Sequence, residues 1–142
     1  MEKILVGIDS KTTRLLSVLY ALNLAKRMDV KISILLVIEP AATSVESEAA
    51  AQGASTIRKQ LEKSILEGRS DGTPIDFFVT YGSFKEELIK FIKEEKISLL
   101  VVDSPFPDRK VASEKLPALF GEIKLRTHCR IEVVHKKDFK AG

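Results

Sequence analysis

Three apolar runs constrain this chain more than anything else in it. Residues 4–8 (Ile-Leu-Val-Gly-Ile), 32–38 and 99–102 (Leu-Leu-Val-Val) are nearly continuous apolar segments, not alternating ones. A strand that reads this way is covered on both faces, as in a parallel sheet flanked by helices. Residues 77–81 and 131–134 add two further strand segments of more mixed character.

The stretches between the strands carry helical period. Leu15, Val18, Leu19, Leu22 and Ala25 form one apolar stripe. Ala54, Ile57, Leu61 and Ile65 form a second, with Gly68 placed to end it as a C-terminal glycine. Phe84, Leu88, Phe91 and Ile92 form a third, opened by the capping-box pair Ser83 and Glu86. Leu116, Leu119, Phe120 and Ile123 mark a fourth, which admits Pro117 only in its first turn. The order β-α-β-α-β-α-β-α-β predicts an α/β fold with a parallel sheet, because each parallel neighbour needs a crossover. Residues 41–53 and 103–113 read as loops, and the tail 136–140 as solvated chain.

At 142 residues the chain has the size of one domain, spanning 1–142. Its 23 basic and 20 acidic residues are interspersed, leaving a formal charge of +3. Nucleic-acid binding needs clustered cations, so none is expected. Cys129 is the sole cysteine, which excludes a disulfide framework. The longest unbroken apolar stretch, residues 34–38, is far short of the roughly 20 residues that cross a bilayer. A cytoplasmic protein without membrane insertion is the expectation.

In an open parallel sheet, ligands bind beyond the carboxyl ends of the strands. Asp9, Glu39, Gly82 with Ser83, and Asp103 with Ser104 occupy those ends. A carboxylate at Asp9 can accept hydrogen bonds from a ribose or base, hold a cation, or cap the following helix. Gly82 permits either a tight turn or a close ligand approach. No GxGxxG or GxxxxGK[ST] loop is present. His128, Cys129 and His135 lack the spacing of a zinc site, so no metal is expected. A phosphoryl-accepting receiver domain would want an aspartate after the third strand, where Tyr81-Gly82 stands. No catalytic set can be singled out, and the chain is read as a non-enzyme.

Taken together, several segments resemble the universal stress protein family: residues 3–10, a strand ending in Asp9; residues 36–39, Leu-Val-Ile-Glu; the glycine–helix–strand unit over 82–102; and the closing helix and strand over 125–134. The resemblance implies an adenine nucleotide alpha hydrolase-like fold, five strands in order 3-2-1-4-5 with helices on both faces. It also implies a homodimer paired through the fifth strand, residues 130–135, with Arg130 and His135 at its ends. Nucleotide-binding members carry G-x2-G-x9-G-[ST] after the fourth strand, whose main-chain N–H groups wrap the phosphates of ATP. The matching positions here are Asp103, Phe106, Leu116 and Pro117, and all four depart. Asp103 would set a negative charge near phosphates, and Pro117 offers no N–H. Asp9, Val37 and Gly82 match the family's adenosine-side positions by type. The resemblance therefore implies a dimeric stress-response or regulatory protein that acts through protein contacts without ATP as cofactor. The alternative it leaves is an adenine-nucleotide module with a remodelled loop.

Overall fold

A computed structural model describes residues 1–9, 15–40, 44–104 and 118–135, with side chains of 44–51, 53 and 54 excepted. Phe106, Leu116, Pro117 and the tail 136–140 lie outside the described residues. The elements run β1 (Glu2–Asp9), α1 (Leu16–Ala25), β2 (Val30–Ile38), α2 (Ser44–Ser70), β3 (Ile75–Tyr81), α3 (Phe84–Glu95), β4 (Leu99–Asp103), α4 (Ala118–Thr127) and β5 (Arg130–Val134). All strand pairs are parallel, and the sheet order is β3-β2-β1-β4-β5.

The three continuous apolar runs are the three interior strands, as burial on both faces requires. Their residues alternate between two cores. Ile4, Val6, Ile8, Ile32, Ile34, Leu36 and Val101 pack with Val18 and Ala21 of α1 and Ile57, Leu61 and Ile65 of α2. Leu5, Leu35, Val37, Leu100 and Val102 pack with Leu88, Ile89 and Ile92 of α3 and Phe120 and Ile123 of α4. The order reverses at β1, which pairs with β2 on one side and β4 on the other. That places the carboxyl ends of β1, β2 and β4 around a topological switch point.

Four local expectations change. Residues 44–53, read as loop, are helical, and α2 runs for 27 residues. The consecutive alanines 49–51 favour helix by propensity even without an apolar stripe. Gly68 does not end α2, which continues to Ser70. Its role is close packing: a Cβ there would lie 2.5 Å from Ile75 Cδ1 and 2.8 Å from Leu22 Cδ2. Leu19 turns outward and is 48% exposed, because α1 buries Ser17, Val18 and Ala21. The capping box of α3 is half formed. Ser83 accepts from the Glu86 N–H, but the Glu86 carboxylate reaches Arg126 of α4 instead of returning to the cap.

Candidate functional site

A cavity of about 410 Å³ opens at the carboxyl edge, lined by Asp9, Glu39, Ser83, Phe84, Lys85, Ala118, Leu119 and Glu122. This is within the range of small-molecule sites, roughly 300–1,000 Å³. Four elements contribute: the end of β1, the residue after β2, the start of α3 and the start of α4.

The start of α3 is defined by its caps. Gly82, at φ +147°, makes the turn out of β3, and its N–H bonds to the Ile38 carbonyl. An L side chain rarely adopts that φ, and a Cβ would lie 3.3 Å from the Glu87 side chain. Glu87 is fixed there by Thr80, whose hydroxyl donates to it at 2.8 Å. Ser83 then takes the Glu86 N–H, and Glu39 takes the Phe84 N–H at 3.0 Å. Two of the orphan donors at this helix start are thus satisfied by the protein itself, one of them by a carboxylate.

An ion network joins α3 to α4 across the cavity. Lys85 Nζ lies 3.2 Å from Glu122, and Arg126 lies 3.0 Å from both Glu122 and Glu86. Hydrogen bonds from Arg126 and then Lys85 hold the Glu122 carboxyl below its ordinary value. Among the described residues the lining thus carries three carboxylates against one lysine, and that lysine is engaged by Glu122. Such a surface disfavours a polyphosphate and suits neutral hydroxyl donors.

Of the expected site residues, Asp9 lines this cavity. Val37 is its register partner on β2 and is fully buried, in the core against which Phe84 and Leu119 pack. Gly82 sits one residue before the lining residue Ser83. All three therefore gather at one edge of the sheet, with only Asp9 facing the cavity. Asp103 turns elsewhere: its carboxylate accepts the Ser17 N–H in the first turn of α1. That turn holds no acidic residue, and its N-cap, Leu15, makes no side-chain bond. The carboxylate that the resemblance sets near phosphates thus also caps α1. Lys85 and Glu122 were missed. The i,i+4 spacing of Glu122 and Arg126 is visible in the sequence, but their pairing with α3 depends on tertiary approach.

Among the described residues no group of His, Cys, Asp and Glu is arranged to hold a metal ion, and no helix is long and apolar enough to cross a membrane. Cys129 is buried, and its desolvation pushes the thiol up.

Comparison with known proteins bears on the whole arrangement. No curated protein matches the chain in sequence. Solved structures do match in fold. The universal stress protein UspA from Lactobacillus plantarum is 19% identical, with a TM-score of 0.72, over 94% of this chain and 97% of that one. A universal stress protein in complex with cAMP is 20% identical, with a TM-score of 0.64, over 94% and 96%. A universal stress protein family member from Arabidopsis thaliana with AMP bound is 15% identical, with a TM-score of 0.58, over 95% and 92%. At these identities the likeness is one of fold. The sequence model of the Universal stress protein family itself matches residues 1–105, from β1 through the end of β4. The chain belongs to the universal stress protein family.

Proposed function

We propose that this universal stress protein works as a homodimeric stress-response or regulatory protein in the cytoplasm, through protein contacts and not through catalysis or an ATP cofactor. The observation that carries the reading is Glu39. Its carboxylate holds the first N–H of α3, so an anion approaching that helix start meets a negative charge already in place. Asp9 and Glu122 add to the same field in the cavity. The edge strand β5, with residues 130–135, is the expected dimer seam, since an unpaired edge calls for a cover. A buried free thiol at Cys129 fits a reducing compartment.

A second reading keeps the cavity as a site for an adenosine-like ligand, with Asp9, Val37 and Gly82 on its adenosine side. The volume supports it, as do two fold neighbours, one in complex with cAMP and one with AMP bound. The carboxylates would take hydroxyl donors, while among the described lining residues a phosphate would meet Lys85, already paired with Glu122.

A thermal-shift titration with ATP, ADP, AMP and adenosine in the presence of magnesium separates the readings, since a ligand that binds only the folded state raises its melting temperature. No shift at millimolar nucleotide or nucleoside supports protein contacts alone. A saturable shift with adenosine but not ATP supports the second reading. A saturable ATP shift overturns both.

A further inference from the structure

The sheet has two edges, and hydrogen-bond parity shows which backbone groups each one offers. At β3, the Ile32 N–H bonds to the Pro74 carbonyl and the Gly82 N–H to the Ile38 carbonyl. With Ile32 opposite Ile75 and Ile38 opposite Tyr81, the even-numbered residues of β3 turn their N–H and C=O toward β2. Ile75, Phe77, Val79 and Tyr81 therefore turn theirs to the outer side, where no described strand pairs with them. The first of these is occupied: the Arg69 guanidinium donates twice to the Ile75 carbonyl, at 3.2 and 2.8 Å. Among the described residues, the open ladder is Phe77, Val79 and Tyr81.

This edge lacks the usual protection. Beyond Asp76, which pairs with Lys31 of the neighbouring strand, β3 has no charged residue and no proline. Phe78 is 43% exposed and Tyr81 71% exposed. Phe78 also packs at a tilt on Phe91 of α3, with centroids 5.3 Å apart, so an aromatic pair borders the strand.

We infer that the β3 edge pairs antiparallel with the β3 edge of a second copy, about a two-fold axis at Val79. The register follows from the residues. An axis at Phe78 would require the Ile75 carbonyl, which Arg69 holds. An axis at Thr80 would draw in Ser83, which caps α3. With the axis at Val79, Phe77 faces Tyr81 in both directions, and each such pair exchanges two main-chain bonds. Phe78 faces Thr80 on the α3 side, and Asp76 faces Gly82, which has no side chain. No two like charges stand opposite one another, and aromatic cross-strand pairs are among the favoured ones. The seam is isologous, as a two-fold axis demands. It is independent of any pairing through β5, the opposite edge, so both can coexist and assembly then grows past two chains.

Val79→Pro tests the seam with little risk to the fold, because the N–H it removes points outward and proline is tolerated on an edge strand in that orientation. Tyr81→Lys is the second variant, placing a charge at an exposed position against Phe77 of the other copy. Val133→Pro is the control at β5: by the same parity, Arg130 and Val134 bond inward and Val133 outward. Sedimentation velocity over a hundredfold concentration range gives the mass, and circular dichroism establishes folding. The expected result is that Val79→Pro and Tyr81→Lys each lose one assembly step that Val133→Pro retains. A wild-type chain that stays monomeric overturns the proposal. So does an assembly that only Val133→Pro reduces, or one unchanged by both folded β3 variants.

Discussion

The Ser17 N–H in the first turn of α1 donates to the carboxylate of Asp103 at the end of β4, 86 residues away in sequence. One bond thereby ties the start of a helix on one face of the sheet to the strand beside the switch point. It also fixes what residue 103 does: its charge serves the positive end of α1.

Loss of this cap has a measurable size. Asp103→Ala should destabilise the fold by about 1–2 kcal/mol, the usual cost of removing a side chain that caps a helix start. Asp103→Asn keeps an acceptor and should lose less. Ser17→Ala should hold or raise stability, because the Ser17 hydroxyl is buried without a partner among the described residues. Urea unfolding at constant m-value reads all three. A Ser17→Ala loss as large as that of Asp103→Ala would mean that the hydroxyl has a structural role.

Gly82→Ala probes the turn into α3. Holding an L residue at φ +147° costs of order 1–3 kcal/mol, and the added Cβ crowds Glu87. The variant should melt lower than wild type and weaken the Thr80–Glu87 bond. An unchanged melting temperature would show that the turn relaxes to another backbone conformation.

Much of this was legible in the sequence because the interior strands announce themselves. The runs at β1, β2 and β4 need two covered faces, and strict alternation with helices then gives a parallel sheet; the order that leaves β3 and β5 as edges followed from the family resemblance. The Ser83 cap was readable from residue type and spacing. The first half of α2 was not, because an Ala-, Ser- and Glu-rich stretch has helix propensity without an apolar stripe to mark it. Gly68 misled for a related reason: a glycine near a helix end signals a stop, while here it admits Ile75 and Leu22. In the site, Asp9 could be placed from its position at a strand end. The Lys85–Glu122 pair and the Asp103 cap could not, since each joins elements far apart in the chain.

The network around Glu122 predicts a pH response. Arg126 and Lys85 lower its folded pKa from the ordinary value of 4.5. A carboxylate lowered in this way contributes stability above its unfolded pKa and loses that contribution as pH falls through the folded one. Wild-type stability should therefore decline from about pH 4.5 downward with a component that Glu122→Gln lacks. The pair is solvent-facing, so the component should also shrink in high salt. Melting curves between pH 6 and pH 3, at low and high ionic strength, measure both effects. Parallel curves for the two proteins would remove Glu122 from the acid response.

Glu39 offers the most direct test of why phosphates should be poorly received. Its carboxylate sits on the Phe84 N–H, so α3 presents a neutralised start to the cavity. Glu39→Gln retains an amide oxygen that can accept the same N–H while removing the charge. Without that charge, the helix start regains its attraction for anions, about 0.3–1 kcal/mol from the dipole, with relief of direct repulsion added. AMP should then bind roughly three- to tenfold more tightly than to wild type, with adenosine little changed, because only the phosphate senses the difference. Isothermal titration of both ligands against both proteins reads this directly. Equal gains for AMP and adenosine would point to steric opening of the cavity, and no gain for AMP would place the barrier in the other carboxylates, Asp9 and Glu122, that line it.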